Sequence, residues 1–144
     1  MERKDRTLLA IGCVKEGTLS PVQLQKSLFL FDRLYSKKNS EEFYKFIPYN
    51  YGPFCQDIYR DAESLALEGL IVIRRPMEKR WIEYSITNKS TECCKKLQEN
   101  IAQEAYAYLC EIANWARSMT FQQLVRSIYN KFPEFRANSV FQET

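Results

Sequence analysis

Residues 54–86 read FCQDIYRDAESLALEGLIVIRRPMEKRWIEYSI, a helical pattern followed directly by two strand patterns. Apolar side chains recur every three or four positions across Phe54–Glu68, which predicts a helix that ends at Gly69. Leu70–Arg74 and Trp81–Ile86 are rich in β-branched and aromatic residues, and a polar loop joins them. This stretch therefore predicts a helix followed by a β-hairpin.

Two more helices are predicted upstream of this stretch. Residues 5–15 place most of their apolar side chains on one helical face, and Gly17 follows as a stop. Ser20 and Pro21 are an N-cap residue and a proline at the first helical position, and they predict a helix that runs to about Tyr35. Helix, helix, helix, hairpin is the order of a winged helix. We therefore predict a mainly α fold with a small β-hairpin (α+β) and a winged helix-like core.

The second half of the chain predicts C-terminal helices. Asn88–Met119 contains no glycine or proline and has apolar residues spaced by threes and fours, which predicts a long helix that can be broken once. Thr120 is placed to cap a last helix, and Pro133 ends it. The apolar stripe of the long helix is either core, the seam of a dimer or a groove for a partner helix, so a homodimer stays open.

Length and composition favour one domain. The chain has 144 residues, of which 45% are hydrophobic, and it shows no internal repeat or low-complexity linker. We expect a single winged-helix-like domain over residues 1–144, with the helical core and wing in about 5–87 and C-terminal helices in 88–135. No run of about 18 apolar residues is present, so we expect a cytoplasmic protein without a signal peptide or membrane anchor.

The composition argues against catalysis. The chain contains no histidine, no glycine-rich phosphate loop and no serine in a nucleophile motif. Scattered carboxylates such as Asp57, Asp61 and Glu63 are the strongest candidates for an enzyme. Asp57 and Asp61 share a helical face, where they could bind a cation or raise the pKa of one carboxyl group. We nevertheless expect no catalytic residue, no metal and no cofactor. Five cysteines without paired C-x-x-C spacing predict free thiols in a reducing cytosol: Cys13, Cys55, Cys93, Cys94 and Cys110.

Three segments carry a resemblance to a known family: Leu24–Phe31 (LQKSLFLF), Phe46–Phe54 (FIPYNYGPF), and Tyr129–Phe135 (YNKFPEF) with Asn138 and Ser139. They resemble the SocA-type antitoxin, or Panacea, domain, and the middle and hydrophobic parts are also similar to YwgA-like bacterial proteins. The resemblance implies a small, mainly helical protein of prokaryotes or their phages. It also implies a protein partner, such as a toxin or defence protein encoded nearby, that is neutralised or delivered to a protease by direct contact.

The aromatic-rich stretch Phe43–Tyr51 predicts a short extended segment that is closed by a Gly52-Pro53 turn. The Tyr51-Gly52-Pro53 element aims the helix that follows it, because glycine permits an unusual backbone and proline starts the helix. It is either a structural corner or the centre of an aromatic contact patch formed by exposed side chains around it. Under the second interpretation, the residues expected to bind the partner are Tyr49, Tyr51, Gly52, Pro53, Phe54, Asp57, Arg60 and Asp61.

Binding to DNA is the alternative function. The helix over Phe54–Glu68 offers Gln56 and Arg60 to a groove, but its carboxylates would be repelled by phosphates, which disfavours insertion of this helix. The wing is better suited to nucleic acid because it combines cations with an aromatic residue: Arg74, Arg75, Lys79, Arg80 and Trp81. The alternative is that these residues have no ligand, because charged and aromatic residues are also common at the exposed tip of a hairpin. We therefore predict a protein-interaction module of antitoxin or adaptor type, with a DNA-binding regulator that uses its wing as the alternative.

Overall fold

The structure, a computed structural model, describes residues 2–15, 17–35 and 44–142. These residues form six α-helices and two small antiparallel hairpins, which confirms the mainly α fold of the α+β class. The elements are α1 (Arg3–Gly12), α2 (Pro21–Tyr35), β1 (Ile47–Tyr49), β2 (Gly52–Phe54), α3 (Gln56–Leu67), β3 (Ile71–Arg74), β4 (Glu83–Ile86), α4 (Asn88–Glu99), α5 (Gln103–Ser118), α6 (Phe121–Lys131) and a 3₁₀ turn (Pro133–Arg136).

The predicted helix starts at Ser20 and Thr120 are confirmed by reciprocal capping bonds. The backbone N–H of Gln23 donates to Ser20 Oγ at 3.2 Å, and the Ser20 N–H donates to Gln23 Oε1 at 2.9 Å. Thr120 and Gln123 form the same pair of bonds at the start of α6, at 3.1 and 3.0 Å. Each pair satisfies donors that a helix start would otherwise leave without a partner.

The long helix predicted over Asn88–Met119 is broken once, as the sequence allowed. α4 ends at Glu99 and α5 begins at Gln103, and Ala102 between them has an extended backbone. The two helices differ in their main partner, because α4 packs against α1 whereas α5 packs mainly along α2. The break lets each apolar stripe face its own neighbour.

The segment before α3 differs from its prediction. We expected one extended stretch closed by a Gly52-Pro53 turn, but the chain forms a hairpin in which Gly52 and Pro53 belong to the second strand. Tyr49 pairs with Gly52, and the turn lies at Asn50 and Tyr51. Three-residue strands are too short to produce an alternation that could be recognised in the sequence.

The hairpin predicted after α3 is present as β3–β4, in which Ile71 pairs with Ile86 and Arg74 with Glu83. Leu19, between α1 and α2, adds a third extended segment: its N–H donates to the Tyr84 carbonyl at 3.0 Å, and the Tyr84 N–H donates back at 2.8 Å. The order of the elements is the predicted one, with the β1–β2 hairpin inserted before α3. The winged-helix interpretation itself stays a prediction.

The hydrophobic core draws buried residues from all six described helices into one cluster. Phe29 of α2 lies at an aromatic junction within it, where its ring meets those of Phe46, Phe132 and Phe135 edge to face at centroid distances of 5.3, 4.9 and 4.8 Å. This geometry suits the quadrupoles of aromatic rings. In the described part of the chain, no helix combines the length and apolarity that a membrane crossing requires.

The prediction that all five cysteines are free is wrong. Cys13, at the C-terminal end of α1, is bonded to Cys110 in α5, and their Cα atoms are 4.8 Å apart. Cys55, Cys93 and Cys94 are free. The bonded pair is separated by 97 residues, so local cysteine spacing carries no sign of it; the packing of α1 against α5 brings the two thiols together.

Candidate partner-binding site

The three family-like segments, which are far apart in the sequence, meet at the β1–β2 hairpin. Gln25 of α2 clamps the backbone that leaves the hairpin: its amide nitrogen donates to the Cys55 carbonyl at 2.8 Å, and its amide oxygen accepts from the Cys55 N–H at 2.9 Å. Both bonds are buried, and together they satisfy the donor and the acceptor of one residue. α2 therefore holds the base of the hairpin.

The C-terminal tail holds the other side of the hairpin. The Asn138 side chain donates to the Pro48 carbonyl at 3.2 Å, and the Val140 N–H donates to the Asn50 carbonyl at 2.9 Å. The Tyr129 hydroxyl donates to Ser139 Oγ at 2.6 Å and so attaches the tail to α6. The hairpin is thus fixed on two sides by side chains of the segments that carry the family resemblance.

Gly52 occupies a position at which a side chain is strained. Its φ of +103° lies where residues with a side chain are rarely found. A Cβ atom there would lie 3.4 Å from the Tyr129 ring and 3.7 Å from Lys26 Cε. Gly52 and Pro53 are both buried, so they shape the hairpin from within.

We expect Gly52→Ala to lower the free energy of unfolding by about 1–2 kcal/mol, because alanine must adopt a φ of +103°, which a side chain strains. Urea denaturation measures the change. Gly69→Ala is the matched control: Gly69 also has a positive φ, but its value of +77° lies closer to the left-handed helical region that other residues enter. A loss at Gly52 smaller than the loss at Gly69 would contradict the strain at Gly52.

The hairpin presents aromatic rings to the solvent. Tyr49 and Tyr51 are 46% and 41% exposed, and Ile47 beside them is also exposed. The Tyr49 ring stacks on half-buried Phe54 at a centroid distance of 4.8 Å, and the Tyr51 ring meets Phe121 of α6 at 5.0 Å. The predicted aromatic residues therefore lie together, and their contacts within the chain hold the rings in place.

Lys26 is a candidate functional residue that sequence reasoning missed. It is only 4% exposed, and its ammonium donates to the Pro53 carbonyl at 3.1 Å. Burial lowers the pKa of Lys26 to about 7, because an ammonium without water around it is disfavoured. A lysine in a helical pattern is normally exposed; the available signal was that the apolar surface of α2 is too wide to leave this position outside the core.

Lys26 borders a pocket of about 160 Å³ beneath the hairpin. Aromatic and polar side chains from α2, the hairpin and α3 surround it: Val22, Gln25, Lys26, Tyr49, Asn50, Tyr51, Gly52, Phe54 and Tyr59. We call this the hairpin pocket. Lys26 is the one charged side chain among these lining residues.

A second, larger groove lies beside the hairpin pocket. It has a volume of about 520 Å³ and is lined mainly by apolar side chains of the α2 and α6 starts, together with Trp81 next to the wing. Val22 lines both cavities, and Phe121 of the groove contacts Tyr51. An apolar surface therefore extends from Trp81 to the hairpin.

Asp57 and Asp61 of α3 are bound within the chain. Asp61 accepts hydrogen bonds from Arg3 Nε at 2.8 Å and from the Tyr44 hydroxyl at 2.6 Å. Asp57 lies 3.2 Å from Arg3 Nη1 and 3.4 Å from Arg60 Nη1. The hydrogen bond to Asp61 raises the pKa of Arg3, while burial, followed by the bond to Asp61, raises that of Tyr44. Asp57 and Asp61 thus hold α1 against α3, and Arg60, whose side chain is 69% exposed, extends furthest into solvent.

The cations of the wing are exposed. Arg74, Arg75 and Arg80 lie at the surface, whereas Lys79 forms an ion pair with Glu83 and lies 5.9 Å from the Trp81 ring centre. Lys79, mainly through its hydrogen bond, lowers the pKa of Glu83. Nucleic-acid binding by the wing stays a prediction.

The family resemblance is confirmed by a family model. Residues 24–133 match the model described as antitoxin SocA-like, Panacea domain, and the chain belongs to this family. The matched range begins within α2, includes the β1–β2 hairpin and ends at Pro133, so it contains every residue that lines the hairpin pocket except Val22. No curated protein and no solved structure shows a significant match to the chain.

Proposed function

We propose that this chain is a protein-binding module of antitoxin or adaptor type that neutralises or regulates a partner protein by direct contact and without catalysis. The module is one winged-helix-like domain over residues 1–144. Its partner is a toxin or defence protein encoded nearby. Membership of the antitoxin-like family supports this class of function.

The exposed aromatic surface of the hairpin carries the proposal. Tyr49 and Tyr51 offer large rings that are already held by Phe54 and Phe121, so little conformational entropy is lost when a partner covers them. Aromatic residues around a pocket are typical of the few positions that dominate protein–protein affinity. The neighbouring apolar groove enlarges the area that a partner can bury.

DNA binding by the wing is the second candidate, and the exposed Arg74, Arg75 and Arg80 favour it. A phosphate backbone is bound through many cations at once. The hairpin surface offers aromatic rings in place of cations, so it suits a protein better than a nucleic acid. The two candidates thus use different surfaces and can be tested separately.

We expect the double variant Tyr49→Ser, Tyr51→Ser to weaken binding of the protein encoded by the adjacent gene by about 30-fold or more, because two ring contacts are lost. Calorimetry with the two purified proteins measures the affinity. Growth of cells that express both genes reports neutralisation. The fold is expected to persist, because both tyrosines are more than 40% exposed and neither belongs to the buried core cluster.

Two controls separate the candidates. Trp115→Ser removes another exposed ring, which lines neither the hairpin pocket nor the neighbouring groove, and should leave the affinity unchanged. Arg74→Glu with Arg80→Glu should also preserve partner binding. The proposal would be rejected if the wing variant abolished binding while the tyrosine variant did not, or if wild-type protein bound DNA tightly and salt-sensitively through the wing.

A further inference from the structure

The buried ammonium of Lys26 has unused hydrogen-bonding capacity. It can donate three hydrogen bonds, and among the described residues it makes one, to the Pro53 carbonyl. Across residues 2–15, 17–35 and 44–142, no carboxylate lies within ion-pair distance of its Nζ atom. A buried cation normally has a counter-charge, because its desolvation is otherwise uncompensated.

The hairpin pocket gives this ammonium an opening toward the surface. Lys26 lines the pocket together with Tyr49 and Tyr51, whose rings are partly exposed. Gly52 lies next to this ammonium, because a Cβ atom added at Gly52 would be 3.8 Å from Nζ. Since glycine has no side chain, nothing at this position obstructs the approach of a ligand to Nζ. The absence of a side chain at position 52 therefore leaves space next to the charge.

The size and lining of the pocket indicate the class of ligand. Its volume of about 160 Å³ is below the roughly 300–1,000 Å³ of ordinary small-molecule sites, and it suits one side chain or one chain end. Lys26 is its one cation, whereas nucleic-acid phosphates are usually bound by several. The cation favours a ligand with a negative group, and the aromatic rim favours an apolar group next to it. A protein segment can supply both groups.

We infer that the hairpin pocket binds a carboxylate of the partner protein, an Asp or Glu side chain or a C-terminus, with the Lys26 ammonium as its counter-ion and the tyrosine rings around it. This inference rests on the proposed function, since it assigns the contact chemistry of the same surface. The partner segment carries an acidic group next to an apolar or aromatic residue.

Two capped dipeptides test the chemistry without the natural partner. Acetyl-Phe-Glu-amide and acetyl-Phe-Gln-amide have the same shape and differ in charge. We expect the Glu peptide to shift the NMR signals of Lys26 Cε and of the Tyr49 ring, and to bind about tenfold more tightly than the Gln peptide. In Lys26→Met and Lys26→Gln this difference should vanish. Circular dichroism confirms that each variant is folded.

The outcomes against the inference are distinct. Equal binding of the two peptides, or no response of Lys26 to either, contradicts it. A response to inorganic phosphate as strong as that to the Glu peptide would indicate a general anion site and would also overturn it.

The natural complex separates this inference from the proposed function. We expect Lys26→Met to weaken binding of the protein encoded by the adjacent gene by about tenfold or more. If Lys26→Met leaves the affinity unchanged while the tyrosine variant abolishes binding, the carboxylate inference fails and the proposed function stands. If neither variant changes the affinity, both fail.

Discussion

Replacing Lys26 with methionine is expected to raise the free energy of unfolding by roughly 3 kcal/mol near pH 6. The physical reason is that wild-type protein keeps an ammonium in a site that disfavours charge. A pKa lowered from 10.5 to about 7 means that burial destabilises the charged form by roughly 5 kcal/mol at most. Methionine removes this cost, but it also loses the hydrogen bond to Pro53, which offsets about 1–2 kcal/mol of the stabilisation.

The effect depends on pH with a defined sign. Between about pH 7 and 10 the unfolded chain holds a proton on Lys26 that the folded chain has released, so wild-type stability rises with pH. Below about pH 7 both states hold the proton, and the full cost of burying the charge is present. The advantage of Lys26→Met should therefore shrink as the pH rises toward 10. Urea denaturation near pH 6 and near pH 9.5 measures both limits.

Lys96→Met serves as the matched control, because Lys96 is exposed on α4 and its side chain has no ion pair among those found in the described residues. It should change the stability by less than about 0.5 kcal/mol at either pH. A destabilised Lys26→Met variant at low pH would show that the ammonium is well solvated. A stabilised Lys26→Met variant would show that Lys26 lowers the stability of the fold at the site where we propose that a partner binds. Residues at functional sites commonly lower stability in this way.

Removal of the Cys13–Cys110 bond is expected to lower the free energy of unfolding by about 3–4 kcal/mol. The bond joins residues 97 positions apart, so it restricts a large loop of the unfolded chain. The double variant Cys13→Ser, Cys110→Ser should unfold at a lower urea concentration than oxidised wild type. Reduction of wild type should produce a similar loss.

Cys93→Ser is the control for this experiment, since Cys93 is a free and partly buried thiol. It should remain within about 1 kcal/mol of wild type. Alkylation followed by mass spectrometry counts the free thiols and should find three in the oxidised protein. Five labelled cysteines after oxidation, or equal stability of the oxidised wild type and the double serine variant, would contradict the prediction.

Local features of the fold were predictable because they depend on neighbouring residues. Ser20 and Thr120 are cap residues that bond three positions onward, so they mark helix starts wherever the chain packs. The strands after Gly69 are also evident, since β-branched and aromatic residues cluster there. The β1–β2 hairpin was recognised only as an extended stretch, because its short strands carry no periodic signal.

The candidate site was predictable only in part. The aromatic residues at Tyr49, Tyr51 and Phe54 stand out in the sequence, and the structure places them together. Asp57 and Asp61 were expected at a partner surface, but Arg3 is too distant in the sequence for its contacts with them to be anticipated. That contact forms because α1 packs against α3. Whether these carboxylates also meet a partner stays a prediction.

The amino-acid sequence specified the helices, the hairpin after α3 and the family, since these follow from periodicity, capping and short motifs that act over a few residues. The burial of Lys26, the pairing of Cys13 with Cys110 and the support of the hairpin by Asn138 emerged only from the folded chain. Each depends on the packing of segments at least 27 residues apart, and the free energy of that packing is shared among many contacts. A local sequence pattern does not predict which side chain from a distant part of the chain packs against a given position.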